Sequence, residues 1–324
     1  MRLPTEFVRL PYRFDTPQLT REVLAFDESE WLPHIQGYEG NTAIPLISLR
    51  GEMNDEFNGP MRITEKLRRS PYIMQVLASL DEVFGRSRLM GLAPHCSVPE
   101  HRDVNYHWYS RVRIHIPVIT DEKVLFYCGA RHVHMAAGEA WIFDSWKRHR
   151  VDNGSELNRV HLVIDTAGSA KFWRLVGASE WRCSAQIQKP ASIADIHVPY
   201  EKGKEVSILT EQYNAPLVMH PGELDALIMD IVFDMRAYAE NDREAANEFE
   251  RLLQEFRCEW RRLWLLYGQS EAGWEHFDHL IKNVRLPREK LTLASNLGSA
   301  THTFGARILA SALNVSLASQ YRSP

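Results

Sequence analysis

The chain has 324 residues, 44% hydrophobic and 25% charged, and its 38 basic and 42 acidic side chains leave a formal net charge of −4. This composition excludes a disordered chain, a collagen and a coiled-coil rod, and it argues against a generic nucleic-acid binder, which carries a basic surplus. Cys96, Cys128, Cys183 and Cys258 lie far apart with no CxxC pair, so reduced thiols are expected, although two disulfides are compatible with the count. The first six residues are polar, with no apolar run of a secretory leader, and no stretch approaches the ~18 uninterrupted apolar residues of a membrane span. The expectation is a cytoplasmic chain with no membrane and no nucleic-acid partner.

Taken in chain order, the first ~85 residues read as mixed. Asp15 and Pro17 open a short capped helix through Leu24, and residues 43–49 read as a strand. Residues 71–80 have helical spacing, with Ser70 as N-cap and Pro71 at the first helical position.

From residue 88 to 166 the period changes to two. Val112, Ile114, Ile116 and Val118 share one face of a strand; Arg111, Arg113 and His115 share the other. Residues 159–165 repeat the pattern, with Arg159 and His161 opposite Val160, Leu162 and Ile164. Two more short strands, 123–128 and 139–144, lie between them, and turn residues such as Asn153 and Gly154 separate the runs. That is the pattern of a small antiparallel sandwich or barrel. In an open sheet the Arg/His face is solvent. In a closed barrel it is the lumen, where buried charge calls for a partner such as a small anion.

Residues 186–206, with Pro190, Pro199 and Gly203, form a candidate connector. Beyond it the period returns to three and four: Leu224, Leu227, Ile228, Ile231, Val232 and Met235, then Phe249, Leu252, Leu253, Phe256, Trp260, Leu263 and Trp264. Helix is predicted over 223–268 and again over 300–317. The apolar stripes are read as helix–helix core, with a homodimer through these helices as the alternative.

The β region carries His101 and Asp103, then His149, then Arg159. On a strand, positions 101 and 103 point to one side with Cα atoms ~6–7 Å apart. A third ligand from a neighbouring strand completes a face of two imidazoles and a carboxylate, which suits ferrous iron and leaves positions open for a bidentate co-substrate and O₂. Arg159, ten residues after His149, has the fork geometry to grip a distal carboxylate. The spacing His-x-Asp/Glu carries no weight alone: with 14 histidines about two matches arise by chance, and two occur, at His101/Asp103 and His276/Asp278. The second sits in a helical context, where i and i+2 do not share a face. The first has a strand setting, a second histidine about fifty residues on and an arginine ten beyond that.

Six segments in order, Leu89-Met90-Gly91-Leu92-Ala93-Pro94, Pro99-Glu100-His101-Arg102-Asp103, Arg113-Ile114-His115-Ile116-Pro117, Gly138-Glu139-Ala140-Trp141-Ile142-Phe143-Asp144, His149-Arg150-Val151-Asp152-Asn153 and Arg159-Val160-His161-Leu162-Val163-Ile164-Asp165, resemble the aspartyl/asparaginyl β-hydroxylase family. The likeness extends weakly upstream through Trp31, His34, Tyr38, Glu39, Gly40 and Asn41. It implies an α+β fold, with a double-stranded β-helix (jelly-roll, cupin-like) core, flanking helices on one sheet and a helical C-terminal region. The expected division is an oxygenase domain over 1–180 and a mainly helical region over 181–324. The resemblance implies His101, Asp103 and His149 as iron ligands, Arg159 on the distal carboxylate of 2-oxoglutarate, and Arg113 and His115 on carboxylate oxygens of co-substrate or substrate. The implied reaction is iron(II)- and 2-oxoglutarate-dependent hydroxylation by O₂, with succinate and CO₂ as co-products. Asp103 sets the chain nearer bacterial members such as the free-proline cis-hydroxylases, so a carboxylate-bearing amino acid or peptide is the expected substrate.

Other readings share these residues. A non-catalytic cupin-like protein could bind the same metal and a small carboxylate without turnover. A zinc hydrolase accepts His₂-carboxylate but leaves Arg159 and Arg113 unexplained. His132 and His134 form a rival ligand pair. Asp165 either orients a ligand imidazole or ends its strand. Tyr106, His107, Trp108 and Tyr109 either line a substrate mouth or pack.

Overall fold

The computed structural model describes residues 1–33, 37–182, 187–188 and 194–321. His34, Cys183 and Pro190 lie outside these. The chain divides into two compact units, residues 1–102 with 110–214 and residues 103–109 with 215–324.

Ten strands of the first unit position the site: β1 (Phe7–Phe14), β2 (Asn41–Leu49), β3 (Val83–Leu92), β4 (Ser97–His101), β5 (Val112–Ile119), β6 (Val124–Cys128), β7 (Arg131–Val133), β8 (Glu139–Phe143), β9 (His149–Asn153) and β10 (Arg159–Thr166), and short strands at 32–33, 61–63, 180–182, 187–188, 196–198 and 209–210 extend the larger sheet. The larger sheet runs β1-β8-β5-β10-β3-β2 and the smaller β4-β9-β6-β7, all antiparallel along these paths. From β3 onward the chain passes repeatedly from one sheet to the other. That alternation makes the double-stranded β-helix.

Two apolar layers flank the larger sheet, because its strands are buried on both faces. Val8, Leu10, Ile114, Ile116, Ile142, Leu162 and Ile164 pack outward against helices α1 (Thr16–Val23), α2 (Pro71–Leu80) and α4 (Ala170–Ala178), through Leu19, Tyr72, Val76 and Phe172; α3 (Tyr106–Ser110), all but its last residue, belongs to the second unit. Phe7, Leu92, Trp141 and Phe143 point the other way and meet Val124, Phe126, Cys128 and Val151 of the smaller sheet. Strand period two therefore sends Arg159, His161, Val163 and Asp165 to the interior, and a one-residue slip would reverse every one of them.

The capping signals hold. Asp15 accepts from the Gln18 amide to start α1, and Pro71 opens α2, which ends on Asp81 in the left-handed region at φ 55°. Ser70 occupies the N-cap position, but its hydroxyl donates to the Lys66 carbonyl instead of capping. Gly138 enters β8 at φ 75°, where a Cβ would stand 2.6 Å from Thr16 Oγ1 and 2.8 Å from the Phe14 carbonyl oxygen. Only glycine fits there.

The second unit is helical: α5 (Pro221–Arg236), α6 (Arg243–Tyr267), α7 (Trp274–Lys282) and α8 (Ala300–Phe304). The helix predicted over 223–268 is two, because Asp242 caps the Ala245 amide and the Asn241 side chain takes the Met235 carbonyl. The one predicted over 300–317 is short. A single π turn follows at Gly305–Leu309, and Asn314 ends the run by donating to the Ser311 and Pro216 carbonyls. Arg307, buried in that turn, reaches Asp230 at 2.9 Å and the Val104 carbonyl. Trp260, Phe256, Phe277 and Phe304 form the aromatic centre of this unit. Among the described residues, no helix is long and apolar enough to cross a membrane, and Cys96, Cys128 and Cys258 are free thiols.

Candidate active site

His101 ends β4 and His149 begins β9. The two are register partners in the antiparallel pair, with ring centroids 4.1 Å apart. Asp103 follows two residues after His101, and one ligand atom from each of the three lies within 4.8 Å of the others. Each imidazole is held by the backbone: His101 Nδ1 lies 2.8 Å from the Pro99 carbonyl oxygen and His149 Nδ1 3.0 Å from that of Lys147. A carbonyl only accepts, so Nδ1 carries the proton and Nε2 keeps its lone pair for a metal. Two backbone-oriented imidazoles and one carboxylate fit a divalent ion such as iron(II).

The rest of the barrel interior is unusually polar. Arg159 and His161 from β10, Arg113 and His115 from β5, and Arg86 and Arg88 from β3 all enter it from the larger sheet, and most are buried. Phe143 touches His149 (5.0 Å between ring centroids) and His115 (5.2 Å). Phe126 touches His115 (5.4 Å) and His161 (5.1 Å), and the Arg159 guanidinium lies 5.3 Å from its ring centre. The two aromatic rings thus connect the imidazole pair to Arg159 within one interior.

Burial sets the charge states. Desolvation pushes Arg159 down to about 9. It does the same to Arg88, where the neighbouring Arg86 charge adds to the effect. His115 is driven well below the ordinary imidazole range by burial, then by Arg113 and Arg159; His161 by burial, then by Arg159 and His115. Both are neutral at pH 7. Asp55 pairs with Arg86 (2.7 Å) and Arg88 (2.6 Å), and Asp165 faces Arg113 (3.4 Å) and Arg86 (3.8 Å). Arg86, Arg88 and Arg113 thus each face a carboxylate, and among the described residues none pairs with Arg159.

Of the residues singled out from the sequence, His101, Asp103 and His149 come together, and Arg159, His115 and Arg113 line the interior beside them. The polar strand face is lumen, not solvent. Arg111 is the exception: it pairs with Glu211 at 2.7 Å away from that cluster. His132 and His134 stay outside the triad, with His134 Nδ1 on the Val124 carbonyl. Asp165 faces Arg113 and Arg86. Tyr106 and Tyr109 pack within the second unit, the former donating to Glu223 and the latter under Arg307. Arg86, Arg88 and Asp55 were not anticipated. The alternation Arg86-Ser87-Arg88 on a strand was the available signal for the arginines; nothing marks Asp55, which reaches them from a loop.

Residues 49–168 match the aspartyl/asparaginyl β-hydroxylase family model. The match contains all six segments that carried the resemblance and begins well before them. No curated protein matches the chain. Among solved structures, similarity is found to a 2OG-Fe(II) oxygenase family oxidoreductase from Burkholderia pseudomallei (11% identity, 47% of this chain and 78% of that one, TM-score 0.37). A Pseudomonas putida prolyl-4-hydroxylase gives 14% identity over 50% of this chain and 92% of that one, with TM-score 0.35. A Cupin 2 conserved barrel domain protein from Salinispora arenicola gives 14% identity over 47% of this chain and 92% of that one, with TM-score 0.27. Scores this low leave the argument to the family match and to the residues themselves.

Proposed function

We propose that the chain is an iron(II)- and 2-oxoglutarate-dependent dioxygenase that hydroxylates an amino acid, or an amino-acid residue in a peptide, with succinate and CO₂ as co-products. The observation that carries this is the convergence of His101, Asp103 and His149 next to an interior holding Arg159. A zinc hydrolase has no use for that buried guanidinium.

Ferrous iron bound by the three ligands supplies the redox chemistry that couples oxidative decarboxylation of the keto acid to hydroxylation of a C–H bond. The chain's own residues do the rest. The Pro99 and Lys147 carbonyls fix the tautomer and aim of the two imidazoles. Arg159 offers a charged fork to the distal carboxylate of 2-oxoglutarate. His115, neutral and between Phe126 and Phe143, offers a hydrogen bond to a carboxylate oxygen nearer the metal. Arg113, at the less buried end of the interior, offers a guanidinium to a substrate that brings its own carboxylate. Phe126, Phe143 and Trp141 keep the interior dry, so these contacts act at low dielectric.

The test is anaerobic titration of metal-free protein with iron(II) and then 2-oxoglutarate, followed by the weak visible charge-transfer band of the chelate. A band lost in Asp103→Ala and His149→Ala supports the reading; no band in the wild type overturns it. Succinate formation across a panel of amino acids and short peptides separates catalysis from a cupin-like protein that binds the keto acid without consuming it.

A further inference from the structure

The family resemblance gives no role to His161, yet this side chain is fully buried and, among the described residues, neither of its ring nitrogens has a hydrogen-bond partner. An imidazole always carries a donor, an acceptor or both, and burying them unmet is destabilising. Val163, two residues on along the same interior face, is only 3% exposed, so that face of β10 accommodates an apolar side chain. A leucine or phenylalanine at 161 would avoid the desolvation cost. The histidine is therefore explained by something that enters the interior.

The surroundings define what that is. Arg159 lies two residues earlier on the same strand face, ~6–7 Å along β10. Its Nε also lacks a partner, while its Nη1 reaches the Met90 carbonyl at 3.4 Å. The His161 ring stacks on Phe126 at 5.1 Å and 18°, and the Arg159 guanidinium borders that same ring. His115 stands 5.8 Å from His161 with both nitrogens likewise unmet. A guanidinium and a neutral imidazole bordering one aromatic ring in a buried interior make a site for one carboxylate, with two donors of different kinds.

We propose that His161 is a co-substrate-binding residue, whose imidazole donates an N–H to the same distal carboxylate that Arg159 grips. This rests on the 2-oxoglutarate reading above and adds to it a residue that sets affinity for a dicarboxylic keto acid. Burial first, and then the Arg159 charge, keep His161 neutral, so it serves as a hydrogen-bond donor and not as a second cation.

Calorimetric titration of the full-length protein with 2-oxoglutarate, in the presence of manganese(II) as a redox-inert metal, tests this without turnover. His161→Phe keeps the stacked ring and removes the donor, and is expected to raise Kd about tenfold or more. His161→Gln restores a donor and is expected to recover much of the loss. The thermal midpoint of ligand-free His161→Phe should not fall, since an unmet polar group has been removed. His161→Leu makes the same comparison if the phenylalanine does not fold. A donor-less variant binding within about twofold of wild type, or a glutamine variant as weak as the phenylalanine one, overturns the proposal while the 2-oxoglutarate reading stands. Wild-type protein that binds no 2-oxoglutarate at millimolar concentration overturns both.

Discussion

His101 and His149, 48 positions apart in the chain, are direct register partners across β4 and β9, with ring centroids 4.1 Å apart. An antiparallel pair sets opposed side chains ~4.5–5.5 Å apart at Cβ, so the strand register itself delivers two imidazoles to one point. Asp103 then needs only a two-residue step beyond the strand end.

That arrangement predicts a steep dependence on each ligand. Asp103→Ala and His149→Ala should each weaken iron(II) binding by at least an order of magnitude, the scale on which even outer-shell partners act. Metal-dependent fluorescence quenching reads this directly, and a chelator should reverse the wild-type signal. Unchanged metal affinity in both variants would remove the triad from consideration.

Arg159 should show opposite effects on binding and stability. Its guanidinium is buried and pushed down to about 9 by desolvation, so the ligand-free fold carries an uncompensated cost. Arg159→Met should weaken 2-oxoglutarate binding at least about tenfold yet leave the thermal midpoint of the ligand-free protein equal or higher. A variant that lost both binding and stability would mark Arg159 as a structural residue.

Asp55 balances two guanidiniums that are each only 3% exposed. Asp55→Asn leaves them facing each other with one carboxylate fewer, and breaking such a buried pair costs about 3–5 kcal/mol. Urea denaturation should show the midpoint shifted by that amount with an unchanged slope. A loss below about 1 kcal/mol would place the pair in the solvent-screened class instead.

Asp144 gives the pH prediction. Burial raises its carboxyl to about 6, against the opposing pull of Lys147. The folded state thus holds the proton to higher pH than the unfolded chain, whose aspartate titrates near about 4. This contribution is fully present below about 4 and is lost as pH rises through about 6. Asp144→Asn should flatten that part of the stability profile and gain roughly 1–3 kcal/mol over wild type at pH 7.5. Denaturation curves from pH 4 to 8 check the sign.

Much of the barrel was legible because a strand buried on both faces still alternates. Val160, Leu162 and Ile164 announce one layer, and Arg159 and His161 announce another. The solvent or lumen choice was not legible, because period two is the same in either case; closure of the two sheets decides it. The helix over 300–317 failed for a related reason. Its apolar spacing is helical, but the buried Arg307–Asp230 pair and the Asn314 cap break the run, and both depend on partners from elsewhere in the chain.

The sequence by itself determined the types and order of the candidate ligands and the strands that carry them, because residue chemistry and local periodicity are properties of short segments. Only the tertiary structure decided that Asp55 reaches Arg86 and Arg88, and that Phe126 brings Arg159, His115 and His161 around one ring. Those are contacts between segments distant in the chain, made by ordinary side chains. Their identity leaves no local pattern, and only the packing of two sheets against each other brings them together.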